Sequence, residues 1–243
     1  MNPDRRKFVT EFFSKDDYLR NSSDRIKVRS SIIKRYISDS FFTSVLDVGC
    51  GDGSLSLPYC AQFNSLMLND LSVQMLSRCI VNADPDCSSI ITTFQGDIFD
   101  ETFPSLKFDL IICVGVIAHV DDPIVFLQKL DSVLEKGGMI IVETTENPYP
   151  VGAFLSRVKL VNYSVKQDTL YKAYPKNRLP VHDLNSFFIN SGYEILGEDK
   201  FSIPLPTMSK WPHKLKYFYT LLTWKIPFLS YFGSEYVACF KKI

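Results

Sequence analysis

No stretch of this 243-residue chain approaches the ~20 apolar residues that a membrane-spanning helix needs. Its first residues lack the charged-then-apolar pattern of a secretory leader. Net charge is missing as well, because 27 Lys and Arg balance 27 Asp and Glu. A neutral chain exerts no global pull on a polyanion, which argues against nucleic acid as the partner. Cys-x-x-Cys pairs are absent. Cys50, Cys60, Cys79, Cys87, Cys113 and Cys239 stand singly, and there are only three His. Neither a metal site nor a disulfide framework is therefore expected. Several of these cysteines lie in apolar runs, where a free thiol acts as a small hydrophobe. The compartment expected is a reducing one, the cytoplasm. Repeats and low-complexity tracts are absent too. With 46% hydrophobic and 22% charged residues, the chain reads as an ordinary globular protein, long enough for one large domain with insertions.

What is present is an alternation. Residues 5–38 are polar with apolar positions at Phe8, Phe12, Ile26, Ile33 and Ile37, a pattern of one or two amphipathic helices. Short apolar strands are then expected at 44–48, 66–69, 89–94, 108–114 and 139–143. Between them lie a helix from about Ser54, a helix from the N-cap Ser72 to about Asn82, and a helix from Pro123 to Leu134 stopped by Gly137-Gly138. Such alternation implies right-handed βαβ units and a parallel sheet covered on both faces. The rhythm breaks over 145–181. It resumes with a helix at 183–190, a strand at 193–198, an aromatic and basic stretch at 202–233, and a last strand at 235–240. The last two strands read as a hairpin with a long loop.

The chemistry concentrates at Asp47-Val48-Gly49-Cys50-Gly51-Asp52-Gly53, where a strand feeds three alternate glycines. Glycine permits backbone angles that other residues resist, and its missing Cβ lets a ligand lie against the chain. Open parallel sheets bind ligands at the carboxyl ends of their strands. Asp70 follows the second strand, the place for an acid that takes ribose hydroxyls, and Asp97 follows the third, where it can face an adenine amine. Each alone has a plainer explanation: a tight turn for the glycines, a helix-dipole acid for Asp70. Together they are harder to explain so. A nicotinamide-binding loop would want Gly-x-Gly-x-x-Gly, and position 54 is Ser.

The run from Val45 to Glu143 resembles the class I S-adenosylmethionine-dependent methyltransferases, in particular the small-molecule group that includes ubiquinone-biosynthesis O-methyltransferases. The matching pieces are the loop above, Asn69-Asp70-Leu71-Ser72, Gly96-Asp97, Phe108-Asp109-Leu110-Ile111, His119-Val120-Asp121-Asp122-Pro123 and Leu134-Glu135-Lys136-Gly137-Gly138. The resemblance implies an α/β, Rossmann-like, doubly wound seven-stranded sheet with the last strand antiparallel. Residues 1–43 would be a helical N-terminal segment. Residues 44–243 would be the methyltransferase domain, with cap insertions at 145–181 and 202–233. It implies S-adenosyl-L-methionine as cofactor. Gly49, Cys50, Gly51 and Gly53 would cradle its methionine part, with Asp47 orienting the loop and, directly or through water, the cofactor's ammonium. Asp70 and Leu71 would meet the ribose, Asp97 and Ile98 the adenine, and Val114 and Gly115 the methionine end. Asn147-Pro148-Tyr149 resembles a signature of amino-methylating enzymes, but it follows the fifth strand, one strand too late.

Methyl transfer from a sulfonium is an in-line displacement with a good, neutral leaving group. The protein mainly aligns the acceptor and excludes water. A base is needed only where the nucleophile carries a proton at neutral pH. His119, in the loop after the fourth strand, is the candidate, since imidazole titrates near working pH. Three roles stay open for it: base, brace for Asp121 and Asp122, or substrate contact without proton transfer. The expected reaction is O-methylation of a small hydroxylated molecule. N- or C-methylation of a sugar or amine metabolite, and a binding domain without turnover, are the alternatives. The acceptor is expected to be apolar or aromatic and held under the two insertions. Tyr163, Tyr171 and Tyr174 lie in the first, while Trp211, Tyr217, Phe218, Tyr219, Trp224, Phe228, Tyr231 and Phe232 crowd the second. A less favoured reading lays the second insertion on a membrane surface. Pro212 and Pro227 count against it, because proline breaks a long helix.

Overall fold

A computed structural model describes residues 1–14, 22–145, 177, 179–203, 205 and 208–243, apart from the side chain of Ser209. Most of the first expected insertion, with Tyr163, Tyr171, Tyr174 and the 147–149 triplet, lies outside the described residues.

Two helices come first, α1 (Pro3–Phe13) and α2 (Ser23–Ile37). The core alternation follows as β1 (Val45–Val48), β2 (Leu66–Asp70), α3 (Val73–Asn82), β3 (Ile91–Gln95), β4 (Phe108–Cys113), α4 (Pro123–Val133) and β5 (Leu134–Thr145). The chain closes with α5 (Val181–Asn190), β6 (Tyr193–Phe201), α6 (His213–Lys225), the short α7 (Pro227–Ser230) and β7 (Glu235–Lys242). The strands form one sheet in the order β3-β2-β1-β4-β5-β7-β6. The pairs among β1 to β5 are parallel, and β7 runs antiparallel to both its neighbours. This is the expected Rossmann-like sheet with its last strand reversed.

Local chemistry explains the helix starts. Ser72 Oγ accepts from the Met75 amide at 3.3 Å, and Asp122 Oδ1 accepts from the Ile124 and Val125 amides at 2.9 and 3.1 Å. Each satisfies amides that a first helical turn leaves open. Alternate strand residues face opposite sides, so Leu46 and Val48 join one buried cluster and Val45 joins the other. The second cluster is roofed by α2 through Val28, Ile32, Ile33 and Ile37, all fully buried.

Three expectations need correction. The helix from about Ser54 does not form; turns lead into a 3-10 helix, Leu57–Gln62. The Gly53 carbonyl accepts from both Ser56 and Leu57, and Pro58 brings no amide to extend a helix backwards. The fifth strand is longer than expected, because Leu134 already pairs with Phe108 and Gly137, at φ +80°, is absorbed within it. Finally, Cys60 and Cys87 are joined as a disulfide, with Cα atoms 6.0 Å apart, where no disulfide was expected. The two come together because the 3-10 turns Leu57–Gln62 and Pro85–Ile90 pack side by side. Sequence spacing gives no hint of that.

Candidate functional site

The carboxyl ends of β1, β2, β3 and β4 open into one cavity. Gly49, Gly51, Asp70, Leu71, Asp97, Ile98, Val114, Gly115 and His119 all line it. Nine of the residues singled out from the sequence therefore meet in one place. Asp47, Cys50 and Gly53 do not line it, and each supports the wall instead. Asp47 lies beneath the loop and accepts from Ser56 Oγ at 2.6 Å. Burial pushes its carboxyl up to about 7, although the Ser56 hydroxyl opposes the shift. The Cys50 amide donates to the Asn69 carbonyl at 3.0 Å, locking the loop to the end of β2. Gly53, at φ +80°, has no room for a side chain, since a Cβ there would meet Leu57 Cδ1 at 2.3 Å.

Gly51 differs. Its φ is +56°, yet an added Cβ would meet nothing within 4 Å. The loop turns the bare backbone of Gly51 toward the open cavity. Its amide donates to Asp70 Oδ2 at 3.0 Å, while the Ser72 amide donates to Asp70 Oδ1 at 2.8 Å. Asp70 is thereby fixed at the rim by two backbone groups. Burial raises its pKa, and the amides of Ser72, Gly51 and Leu71 pull it back. A carboxylate offers about four lone-pair positions, so both oxygens keep capacity for further donors.

Sequence reasoning missed the opposite wall. Met1, Val9, Thr10 and Phe13 of the N-terminal segment line the cavity. The Met1 amino group pairs with Asp97 at 3.0 Å. Arg5 reaches Asp121 at 3.1 Å, and Arg6 reaches Asp100 at 3.0 Å. Ser14 and Ser72 hydroxyls lie 2.6 Å apart. Phe13 stands edge-on to His119, with ring centroids 4.7 Å apart. The signal was present as the apolar spacing of Phe8 and Phe12, but periodicity does not say what a helix covers. The insertion at 202–233, expected over the acceptor, contributes none of the cavity-lining residues among those described. From the first insertion Asn177 approaches, its amide and side chain bonding to the carbonyls of Ala118, Val120 and Asp121. The loop carrying His119 is thus clamped from both sides.

A buried charge cluster stands behind Gly115. Arg29 donates to Glu143 at 2.8 Å and to Glu235 at 3.0 Å, and Arg25 donates to Glu235 at 2.9 Å. A Cβ on Gly115 would lie 3.7 Å from Glu143 Oε2. Burial holds Glu143 above the ordinary carboxylate range, whereas at Glu235 the two guanidinium groups outweigh burial and hold it low. Among the described residues no group of His, Cys, Asp or Glu is placed to hold a metal ion.

A reversed last strand, a glycine loop after β1 and acids at the ends of β2 and β3 give this chain the layout of the class I S-adenosylmethionine-dependent methyltransferases, which it resembles. Residues 46–142 match the family described as methyltransferase domain. The ubiquinone biosynthesis O-methyltransferase of Bradyrhizobium sp. (strain ORS 278) is 29% identical over 100 residues, covering 41% of this chain and 39% of that protein. The chain thus matches well under half the length of that relative. The protein of the same name from Rickettsia typhi is 28% identical over 181 residues, or 74% of this chain and 68% of that one. The crystal structure of magnesium protoporphyrin IX methyltransferase from Synechocystis PCC 6803 with bound SAH superposes with a TM-score of 0.64 at 14% identity, covering 98% of this chain and 100% of the other. That likeness is one of fold.

Proposed function

We propose that this chain transfers the methyl group of S-adenosylmethionine to a small-molecule acceptor, and that the accepting atom is a hydroxyl oxygen. The observation that carries the reading is the single cavity joining the open Gly51 backbone, the Asp70 carboxylate and His119. The residues fit the cofactor. A Cβ-free backbone suits the methionine end, a carboxylate with both oxygens fixed suits a ribose diol, and buried Ile98 beside Asp97 suits a flat, amine-bearing base. When bound, the cofactor supplies a methyl group activated by a sulfonium.

The chain's own residues then do four things. Gly49, Gly51, Val114 and Gly115 hold the methionine end by their backbones. Asp70 and Leu71 hold the ribose, and Asp97 and Ile98 mark the adenine. Asp47 acts as a positioning residue through Ser56, while Cys50 and Gly53 set the loop's course. His119 accepts the proton of the acceptor's hydroxyl as the carbon–oxygen bond forms. Val9, Phe13, Val116 and Phe126 give the cavity apolar walls, which favours an apolar or aromatic acceptor and excludes water from the displacement. The names of the ubiquinone-biosynthesis relatives support oxygen as the accepting atom.

Two measurements test this. Calorimetry with S-adenosylhomocysteine tests the cofactor site, and transfer of labelled methyl groups into metabolite extracts, with product isolation, tests turnover. Binding without any transfer would leave a cofactor-binding domain. A labelled amine product would replace oxygen with nitrogen.

A further inference from the structure

The helix α6 packs Tyr217, Leu221 and Trp224 against the core yet carries a second set of apolar side chains outside. Its buried positions are Lys216, Thr220, Thr223 and Trp224. Its outward stripe is Leu215, Phe218 and Leu222, which are 48%, 62% and 40% exposed. Spacing of three and four residues puts these on one face. The stripe continues past the helix end through Ile226, Phe228 and Tyr231, the last two 74% and 71% exposed. Isolated exposed apolar residues are ordinary, but a row of six on consecutive elements is not.

The prolines do prevent one long helix, as expected, limiting α6 to 13 residues and separating it from α7, but the exposed apolar stripe runs on across Pro227. Pro212 is the N-cap of α6, and Pro227 is the first residue of α7. Both sit where the missing amide costs no helical hydrogen bond.

The charge around the stripe has one sign. Residues 202–234 contain no Asp or Glu and four Lys, at positions 210, 214, 216 and 225. Lys210, Lys214 and Lys225 are exposed. On α2, which packs against α6, Lys27, Lys34 and Arg35 are exposed as well. Asp24, Asp199 and Glu235 on the neighbouring elements face inward, whereas Glu194 and Glu198 of β6 are exposed. Asp24 accepts from Thr220, and Asp199 accepts from Trp224 Nε1 at 2.8 Å and pairs with Arg35. Glu235 pairs with Arg25 and Arg29. Within residues 202–234 the apolar stripe is thus accompanied by lysine and by no acid.

We infer that the outer face of α6 and the turn after it rest on an anionic lipid surface, with Leu215, Phe218, Leu222 and Phe228 entering the interface and Lys210, Lys214 and Lys225 meeting phosphate headgroups. Large apolar side chains bordered by lysine are what holds a helix in the plane of such an interface. No described helix is long and apolar enough to cross a bilayer, so the contact is peripheral. The cationic border selects a lipid surface over a second copy of this chain. Two copies facing each other through this patch would bring like charges together.

The test is co-sedimentation of the full chain with vesicles of phosphatidylglycerol and phosphatidylcholine, against vesicles of phosphatidylcholine alone. Binding should require the anionic lipid and weaken as salt is added. The double variant Phe218→Asp, Phe228→Asp should lose at least about tenfold in vesicle affinity, and so should Lys214→Glu, Lys225→Glu. All four positions are exposed, so melting temperatures should stay within a few degrees of the parent. The inference is overturned if the parent stays in the supernatant with anionic vesicles, or if either double variant binds as the parent does. It is equally overturned if sedimentation equilibrium shows a dimer that Phe218→Asp dissociates while vesicles capture nothing.

Discussion

Phe13 and His119 meet edge to face across the cavity, 4.7 Å between ring centroids. One comes from the first helix of the chain, the other from the loop after β4. The contact makes α1 a wall of the candidate active site rather than an appendage to it. Phe13→Ala should therefore act on the site more than on the fold. Phe13 is only partly buried. An edge-to-face pair contributes about 0.5–1.5 kcal/mol beyond area burial. S-adenosylhomocysteine affinity should fall ~2–10-fold by calorimetry, with the thermal midpoint nearly unmoved. Unaltered affinity would detach α1 from the site.

Asp70 gives a larger effect. It anchors the Gly51 amide and carries the expected ribose contact at once. Hydrogen bonds to a charged group contribute roughly 1.5–3 kcal/mol. Asp70→Ala should weaken S-adenosylhomocysteine binding ~10–150-fold. Its thermal midpoint should also drop, because the amides of Gly51 and Ser72 lose their acceptor. An affinity within twofold of the parent would remove Asp70 from the site.

The glycines of the loop separate binding from folding. At φ +56°, any side chain on Gly51 costs about 1–2 kcal/mol, and a valine would also fill the cavity. Gly51→Val should abolish ligand binding in a chain that still melts cooperatively. Gly53→Ala adds a collision with Leu57 to the same backbone cost. It should lose several degrees of melting temperature in the absence of any ligand. Equal effects of the two on stability and on binding would refute the division.

The sequence exposed the part of the site built by local chain order. Gly49, Gly51, Asp70 and Asp97 each follow a strand end, and a parallel sheet brings strand ends together whatever lies between. Asp47 was legible as a residue that orients the loop and Gly53 as a residue type, but the way each supports the wall was not. It depends on Ser56 and Leu57 folding back beneath the loop, and no spacing rule describes that. The α1 wall was illegible for a different reason. Its partners Asp97, Asp100 and Asp121 lie roughly a hundred residues away, and only tertiary packing selects them. What the second insertion meets was not legible, because aromatic composition does not fix the side on which α6 presents those aromatics.

Stability should depend on pH through Asp47. Its pKa is raised by burial from 3.8 to about 7, so between those values the folded chain holds a proton that the unfolded chain has released. Stability therefore falls as pH rises from about 4 to about 7 and flattens above. One such group gives a slope of at most about 1.4 kcal/mol per pH unit. Asp47→Asn keeps an acceptor for Ser56 and cannot ionise. Its unfolding free energy, measured across this window, should lose that share of the slope and exceed the parent's above pH 7. A variant with the parent's full pH slope would show that Asp47 ionises normally.

His119 decides whether the site performs acid–base chemistry. It lines the cavity, its amide is held by the Val116 carbonyl at 2.8 Å, and its loop is clamped by Asn177 and Arg5. That clamping leaves the backbone little need of the imidazole for support. The acids it was placed to brace are served by other groups: Asp122 caps α4, and Asp121 pairs with Arg5. With a hydroxyl acceptor found by the labelled-methyl screen, His119→Ala should lower kcat ~10²–10⁴-fold. S-adenosylhomocysteine affinity and melting temperature should stay near the parent's. The pH dependence separates the roles further. For a hydroxyl nucleophile, the parent's kcat should rise with pH as the imidazole loses its proton, and the alanine variant should lose that limb. If activity and melting temperature fall together and the pH profile keeps its shape, the histidine is a brace. If neither changes, the acceptor's proton leaves by another route.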